Sequence, residues 1–203
     1  MLFVGITGGV GAGKSAILSH LSGHYNCRVM LADEIAHLLM EPGTDCYDKL
    51  RQLFEDDDIF QEDGQIDRPK MASVLFSDGE KRAALNNIVH PAVKEYVQKQ
   101  FKLEKEKGTL DLLVLEAALL IEEHYDEICD ELWYIYTSEE NRRIRLRANR
   151  GYSDEKIDNI LKSQLPEGVF RGACTEEIDN NGMPEDAYLQ IDEILKKKEI
   201  RRD

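Results

Sequence analysis

Apolar and polar positions along this 203-residue chain fall into a recurring order: a short apolar run, a turn, then a helical pattern. Residues 2–7 (Leu2-Phe3-Val4-Gly5-Ile6-Thr7) are apolar and partly β-branched, as in strands buried on both faces of a parallel sheet. A glycine-rich turn follows, and then a helix over 16–21. Further apolar runs at 27–31, 110–115 and 132–137 predict three more strands. Between the second and third runs, helix follows helix. Pro42-Gly43-Thr44 ends one and residues 45–54 start another. Residues 55–64 are acidic and turn-like, and Asp67-Arg68-Pro69 opens a short helix through Phe76. Asp78-Gly79 caps the next, where Val93, Val97 and Phe101 recur at i, i+4, i+8 with Tyr96 beside them. After the fourth run, Ser138 caps an arginine-rich helix and Ser153 caps one through Leu165. Residues 177–179 lead into the turn signal Asn180-Asn181-Gly182. A last amphipathic helix over 184–196 buries Ala187, Ile191, Ile194 and Leu195. No repeat or low-complexity segment interrupts this order.

The turn after the first run sharpens the picture. Gly8, Gly13, Lys14 and Ser15 fit G-x-x-x-x-G-K-[ST], a pattern expected by chance in roughly one chain of this length in a hundred. A loop that wraps a phosphate points successive N–H groups inward, which glycine permits without steric cost. The following helix aims its unpaired N–H groups and positive dipole end at the same anion. Gly11, Ala12, Gly13, Lys14, Ser15 and Ala16 are therefore the nucleotide-phosphate residues, Lys14 reaching the β- and γ-phosphates and the Ser15 hydroxyl serving as a Mg²⁺ ligand. Ala16 has no hydroxyl, so only its N–H can serve the α-phosphate. The fold expected is α/β, a P-loop NTPase fold with a doubly wound, mostly parallel sheet. Its core comprises 1–33, 109–138 and 166–203, with a helical acceptor-binding insertion at 34–108 and a helical lid at 139–165.

Charge and composition narrow the partners. A formal net charge of −14 argues against nucleic acid, which needs a basic stripe. The apolar run over 112–121 is broken by Glu116, so neither a signal peptide nor a membrane span is expected, and the protein reads as cytoplasmic. Cys27, Cys46, Cys129 and Cys174 form no Cys-x-x-Cys pair and read as reduced thiols. His20 and His24 have a metal-capable spacing but no carboxylate or Cys nearby in sequence, which favours surface histidines.

Several side chains sit where chemistry would gather. Asp33 follows the second strand at its carboxyl end, where ligands collect in doubly wound sheets, and is equally placed to cap the next helix. Glu116 ends the third strand in the place of the carboxylate that helps hold Mg²⁺. His90, before Pro91, reads as a turn residue or a ligand contact. Arg142, Arg143, Arg145, Arg147, Arg150 and Lys156 form a basic cluster in an acidic chain, suited to closing over a triphosphate.

Taken in order, these residues resemble the dephospho-coenzyme A kinase family from Val4 to about Leu195. The likeness is carried by Gly5 to Ser15, Ala32-Asp33-Glu34-Ile35-Ala36-His37, Asp63-Gly64-Gln65-Ile66-Asp67-Arg68, and Arg82 with Leu85, Ile88 and His90-Pro91. Leu119-Leu120-Ile121-Glu122, Arg145-Leu146, Gln164 and Ile178-Asp179-Asn180-Asn181-Gly182 complete it. The resemblance implies transfer of the γ-phosphoryl of ATP, with Mg²⁺, to the ribose 3′-hydroxyl of dephospho-coenzyme A. It implies Asp33 as the base, Lys14, Arg145 and Arg150 as phosphoryl-stabilising cations, and Asn180 in an adenine-contacting loop. It also implies acceptor contacts at Arg82, His90 and Glu122. The chain departs from the family at Ala16, Glu116, Ala118 and Cys174-Thr175. Asn149 stands at the usual second lid arginine, which points to Arg150 beside it as the replacement, with Arg143 and Arg147 on the same helical face as rivals. Nucleoside and nucleoside-monophosphate kinases share the loop but not this motif order. A GTPase-type switch lacks its Asn-Lys-x-Asp signature here. A degenerate nucleotide-binding scaffold would not be expected to retain Lys14, Ser15 and Asp33 together.

Overall fold

The computed structural model describes residues 1–202. The chain divides into two compact units: Met1–Met30 together with the chain from Glu104 onward, and Leu31–Leu103.

The first unit is built on a five-stranded sheet. Its strands are β1 (Leu2–Thr7), β2 (Cys27–Leu31), β3 (Leu112–Glu116), β4 (Glu131–Tyr136) and β5 (Glu176–Asp179), in the order β2-β3-β1-β4-β5. β1 pairs in parallel with β3 (Val4 opposite Val114) and β4 (Ile6 opposite Trp133), and β4 pairs in parallel with β5. Phe3, Val4, Ile6, Leu112, Leu113, Val114, Leu115, Trp133 and Ile135 are buried without alternation, because helices or loops cover both faces. Gly5 lies so close to its cover that an added Cβ would stand 2.6 Å from a Leu132 methyl. The carboxyl end of β1 therefore enters the glycine loop from a rigid, dry strand.

Helices α1 (Lys14–His24) and α9 (Pro184–Lys197) pack together in this unit. α9 buries Ala187, Ile191, Ile194 and Leu195, the four residues its periodicity selects. His20 corrects the surface expectation. It is only 6% exposed, and its Nε2 lies 2.8 Å from Asp192 of α9 while Tyr188 stacks on its ring. The carboxylate missing from the local sequence comes from 172 residues away. Beyond β4, Ser138 caps α6 (Glu139–Arg150) and Ser153 caps α7 (Asp154–Lys162). The helix expected through Leu165 stops at Lys162, and Pro166 starts a separate α8 (Glu167–Ala173). Proline biases the residue before it away from helical dihedrals, which accounts for the break.

The second unit holds α2 (Ala32–Leu39), α3 (Asp45–Leu53), α4 (Arg68–Ser77) and most of α5 (Gly79–Lys107). Thr44, Asp67 and Asp78 accept hydrogen bonds from the first-turn N–H groups of α3, α4 and α5, as their residue types favour. A Phe60–Ile66 bridge closes the acidic turn, and the Tyr47 hydroxyl donates to the Gly64 carbonyl at its tip. Two expectations fail here. Asp33 is not a cap: the helix begins at Ala32 with Leu31 as N-cap, so Asp33 lies exposed in its first turn. His90-Pro91 is not a turn, since α5 runs through it for 29 residues. An interior proline costs a helix about 3 kcal/mol. Val89, Val93 and Val97 are buried across the same stretch, each worth roughly 1.5–3 kcal/mol, so burial wins. Among the described residues no helix is long and apolar enough to cross a membrane.

Candidate phosphate-binding and phosphoryl-transfer site

Residues 8–13 join β1 to α1. Gly11 (φ +85°) and Gly13 (φ +88°) occupy the left-handed region, and Gly13 is the N-cap of α1. A side chain is strained at either position, so these glycines are required by the backbone path. Lys14 folds back across the loop. Its Nζ donates to the Gly8 carbonyl at 2.8 Å and stands 3.4 Å from the Glu116 carboxylate at the end of β3. Ser15 and Ala16 are exposed at the start of α1, and the Ala16 N–H donates to Gly13 within the first turn at 3.1 Å.

The Ala12 carbonyl, at the α1 end of the loop, lies within reach of three donors. Asn180 Nδ2 donates at 2.7 Å and Arg145 Nη1 at 3.4 Å, and Thr137 Oγ1 stands at 3.1 Å, its one proton shared with the Tyr136 (2.9 Å) and Asn180 (3.2 Å) carbonyls. Asn180 is 5% exposed, and its own carbonyl accepts from Arg145 Nη2 at 2.7 Å. Its amide lies directly over Gly13, leaving no room for a Cβ there. Position 180 thus serves the loop through its amide, a role that no local pattern in the sequence announces. Thr137, the residue after β4, has the same duty and carried no signal at all.

The arginine helix α6 divides into two sets. Arg143 pairs with Glu139 (2.8 Å) and Asp158 (2.6 Å), and Arg147 with Asp154, so both are neutralised by carboxylates. Arg142 and Arg145 instead turn onto the glycine loop. Arg142 Nε donates to Val10 at 2.9 Å, its Nη2 donates to Gln164, and its guanidinium covers Gly9. Burial pulls the Arg142 pKa downward, yet guanidinium remains the charged form at neutral pH. Arg150 lies exposed in the last turn of α6, next to Gly151, the helix's left-handed cap. Its nearest consequence is on Tyr152, whose hydroxyl it pulls to lower pKa together with Lys156.

Within the first unit, then, Gly11 to Ala16, Glu116, Arg145 and Asn180 assemble at one loop, and Glu122 lies exposed beyond β3. The second unit carries Asp33 exposed in α2, Arg82 exposed near the start of α5, and His90 half-buried in its middle. A divalent ion fits the donors at the loop. The Ser15 hydroxyl and Glu116 carboxylate are hard oxygens, and Mg²⁺ takes one or two protein oxygens with substrate phosphates and water. Among the described residues no three His, Cys, Asp or Glu side chains gather as a stand-alone metal cluster. None of the four cysteines is in a disulfide among the described residues, and burial pushes Cys27 and Cys174 up to about 12, far from nucleophilic use.

A parallel sheet whose first strand runs into a lysine-bearing glycine loop, with an arginine helix turned onto that loop, defines a P-loop kinase. The model of one family, dephospho-CoA kinase, matches residues 2–186. The chain belongs to the dephospho-CoA kinase family. It is 34% identical to the dephospho-CoA kinase of Carboxydothermus hydrogenoformans, over 96% of this chain and 93% of that protein. It is 31% identical to that of Shouchella clausii, over 96% and 97%. Among solved structures, TT1252 from Thermus thermophilus superposes with a TM-score of 0.75 at 29% identity, covering 97% of each chain.

Proposed function

We propose that this protein transfers the γ-phosphoryl group of ATP to the ribose 3′-hydroxyl of dephospho-coenzyme A, giving ADP and coenzyme A. The observation that carries the proposal is the Lys14 ammonium, held between the Gly8 carbonyl and Glu116 inside a loop whose left-handed glycines free its N–H groups for phosphate. Family membership over nearly the full chain supplies the acceptor.

In this mechanism the 3′-oxygen forms the new P–O bond as the bond to the ADP oxygen breaks, and the hydroxyl proton passes to Asp33. Asp33 is suited to the task because it is an exposed carboxylate with no capping duty. The chain's main work is positioning and charge stabilisation, since phosphoryl transfer asks for little covalent chemistry from the protein. Lys14 holds the β- and γ-phosphates, and Arg145 braces the loop beneath them through Ala12. Arg82, His90 and Glu122 are the acceptor-contact residues in this reading. Ser15 and Glu116 would hold Mg²⁺, Glu116 through water, and the ion would offset charge on the phosphates. The net charge of −14 keeps nucleic acid off the list of partners, and four cysteines outside any disulfide suit a reducing cytoplasm.

The test is ADP release with dephospho-coenzyme A, nucleosides, nucleoside monophosphates or water as acceptor. Dephospho-coenzyme A is expected to be phosphorylated at its 3′ position and to be much the best acceptor. Acceptor-independent ADP release, or faster turnover with a nucleoside monophosphate, overturns the assignment.

A further inference from the structure

We propose that Arg142 is the second phosphoryl-stabilising cation of this enzyme, in the place that the sequence leads one to give to Arg150. The proposal rests on the kinase reading above and adds a catalytic residue to it. Four observations carry it.

The first is position along the loop. The Lys14 ammonium lies on the Gly8 carbonyl, so the Gly8 end of the loop is where the β- and γ-phosphates are met. Arg142 covers the very next residue, Gly9, and bonds the carbonyl of Val10. Arg145 by contrast serves the other end, at Ala12 and Asn180.

The second is charge. Among the described residues no carboxylate lies within ion-pair distance of Arg142, whereas Arg143 and Arg147 on the same helix are both paired. Glu139 favours its charge only from beyond ion-pair distance, so a half-buried guanidinium is left without a direct partner, and an arriving phosphate is the group that would supply one.

The third is unused donors. A guanidinium has five N–H groups. Nε is spent on Val10 and one Nη2 hydrogen on Gln164, which fixes the plane and leaves three donors for a ligand.

The fourth is the accommodation by Gly9. Its φ is not in the left-handed region, so the backbone does not demand glycine there. A Cβ at that point would run into the guanidinium itself. Gly9 is the residue that lets Arg142 lie flat on the loop. Arg150, exposed in the last turn of α6, has none of these features.

The experiment uses the full-length enzyme and four variants: Arg142→Gln, Arg142→Lys, Gly9→Ala and the double variant Gly9→Ala/Arg142→Gln. Glutamine retains an N–H for Val10 and removes the charge. The expected loss in kcat for Arg142→Gln is about a hundredfold or more, the scale for one preorganised donor to a transition state. Affinity for a non-hydrolysable ATP analogue falls with it, while ADP affinity and melting temperature stay near wild type. Arg142→Lys keeps charge without the fork and is expected to fall between. Gly9→Ala, which displaces the guanidinium while leaving it in the chain, lowers kcat as well, and the double variant is no worse than Arg142→Gln alone. The proposal is overturned if Arg142→Gln turns over within twofold of wild type. Equal loss of ADP and ATP-analogue affinity also overturns it, since that marks a residue that only shapes the loop. So does a collapse of Arg150→Gln with Arg142→Gln intact. The ATP-analogue and ADP titrations need no acceptor, so they judge Arg142 even if dephospho-coenzyme A proves to be the wrong substrate.

Discussion

Removing the support under the Ala12 carbonyl tests whether the phosphate loop is held by residues far along the chain. Asn180→Ala takes away the 2.7 Å amide bond, but the Thr137 hydroxyl, whose one proton is shared among the Tyr136 (2.9 Å), Ala12 (3.1 Å) and Asn180 (3.2 Å) carbonyls, can turn fully onto the same oxygen. The carbonyl is then not orphaned, and the loss is about 1 kcal/mol, the net worth of one ordinary hydrogen bond. Thr137→Val does the converse at nearly constant volume, for a similar loss. The double variant leaves Ala12 with only the Arg145 contact at 3.4 Å, and Ala12 is 1% exposed. An unsatisfied buried carbonyl costs about 1–3 kcal/mol, so the pair is expected to lose about 3 kcal/mol rather than 2. For a chain of this size each kcal/mol lowers Tm by about 2–4 °C, which puts the single variants about 2–4 °C down and the double about 6–12 °C down. Urea melts and calorimetry of the unliganded protein measure the three differences, and ADP titration reports whether the loop has loosened. If the two losses simply add, to within the ~0.5 kcal/mol expected of independent sites, the shared-carbonyl argument is wrong.

Three further outcomes follow from the same geometry. Lys14→Ala is expected to remain folded while kcat/KM falls at least about a hundredfold, because the ammonium contributes to the transition state more than to the fold; steady-state kinetics with a parallel melt decide it. Asp33→Asn is expected to lower kcat by about 10²–10⁴-fold with a nearly unchanged Tm, since Asp33 is exposed and caps nothing; an intact kcat would remove it as the base. Burial pushes the Asp192 carboxyl up, but the Tyr25 hydroxyl, His20 and Arg202 outweigh it and hold the group below its usual range. A depressed folded-state pKa adds stability above the unfolded value, which is lost as pH falls through the folded one. Asp192→Asn is therefore expected to be less stable than wild type at pH 7, with the gap closing below about pH 4; a gap independent of pH in acid melts would exclude this linkage.

What was legible in the sequence is what short-range chemistry dictates. The four apolar runs, the caps at Asp67, Asp78, Ser138 and Ser153, the buried face of α9 and the glycine–lysine loop all depend on residues within one or two turns of each other. Their expected places match the structure to within a residue or two. Where a local rule failed, tertiary burial or backbone geometry had overruled it. Val89, Val93 and Val97 carry α5 through Pro91, and the first turn of α2 starts early enough to leave Asp33 uncapping and free. Other features required partners that no local window contains. Asp192 turns His20 from a surface histidine into a buried one, and Asn180 and Thr137 meet at Ala12 from 168 and 125 residues away. The arginines of α6 look alike in sequence. Only the folded chain separates those facing Glu139, Asp154 and Asp158 from the two lying on the loop, because an ion pair is decided by which surface each helical face meets.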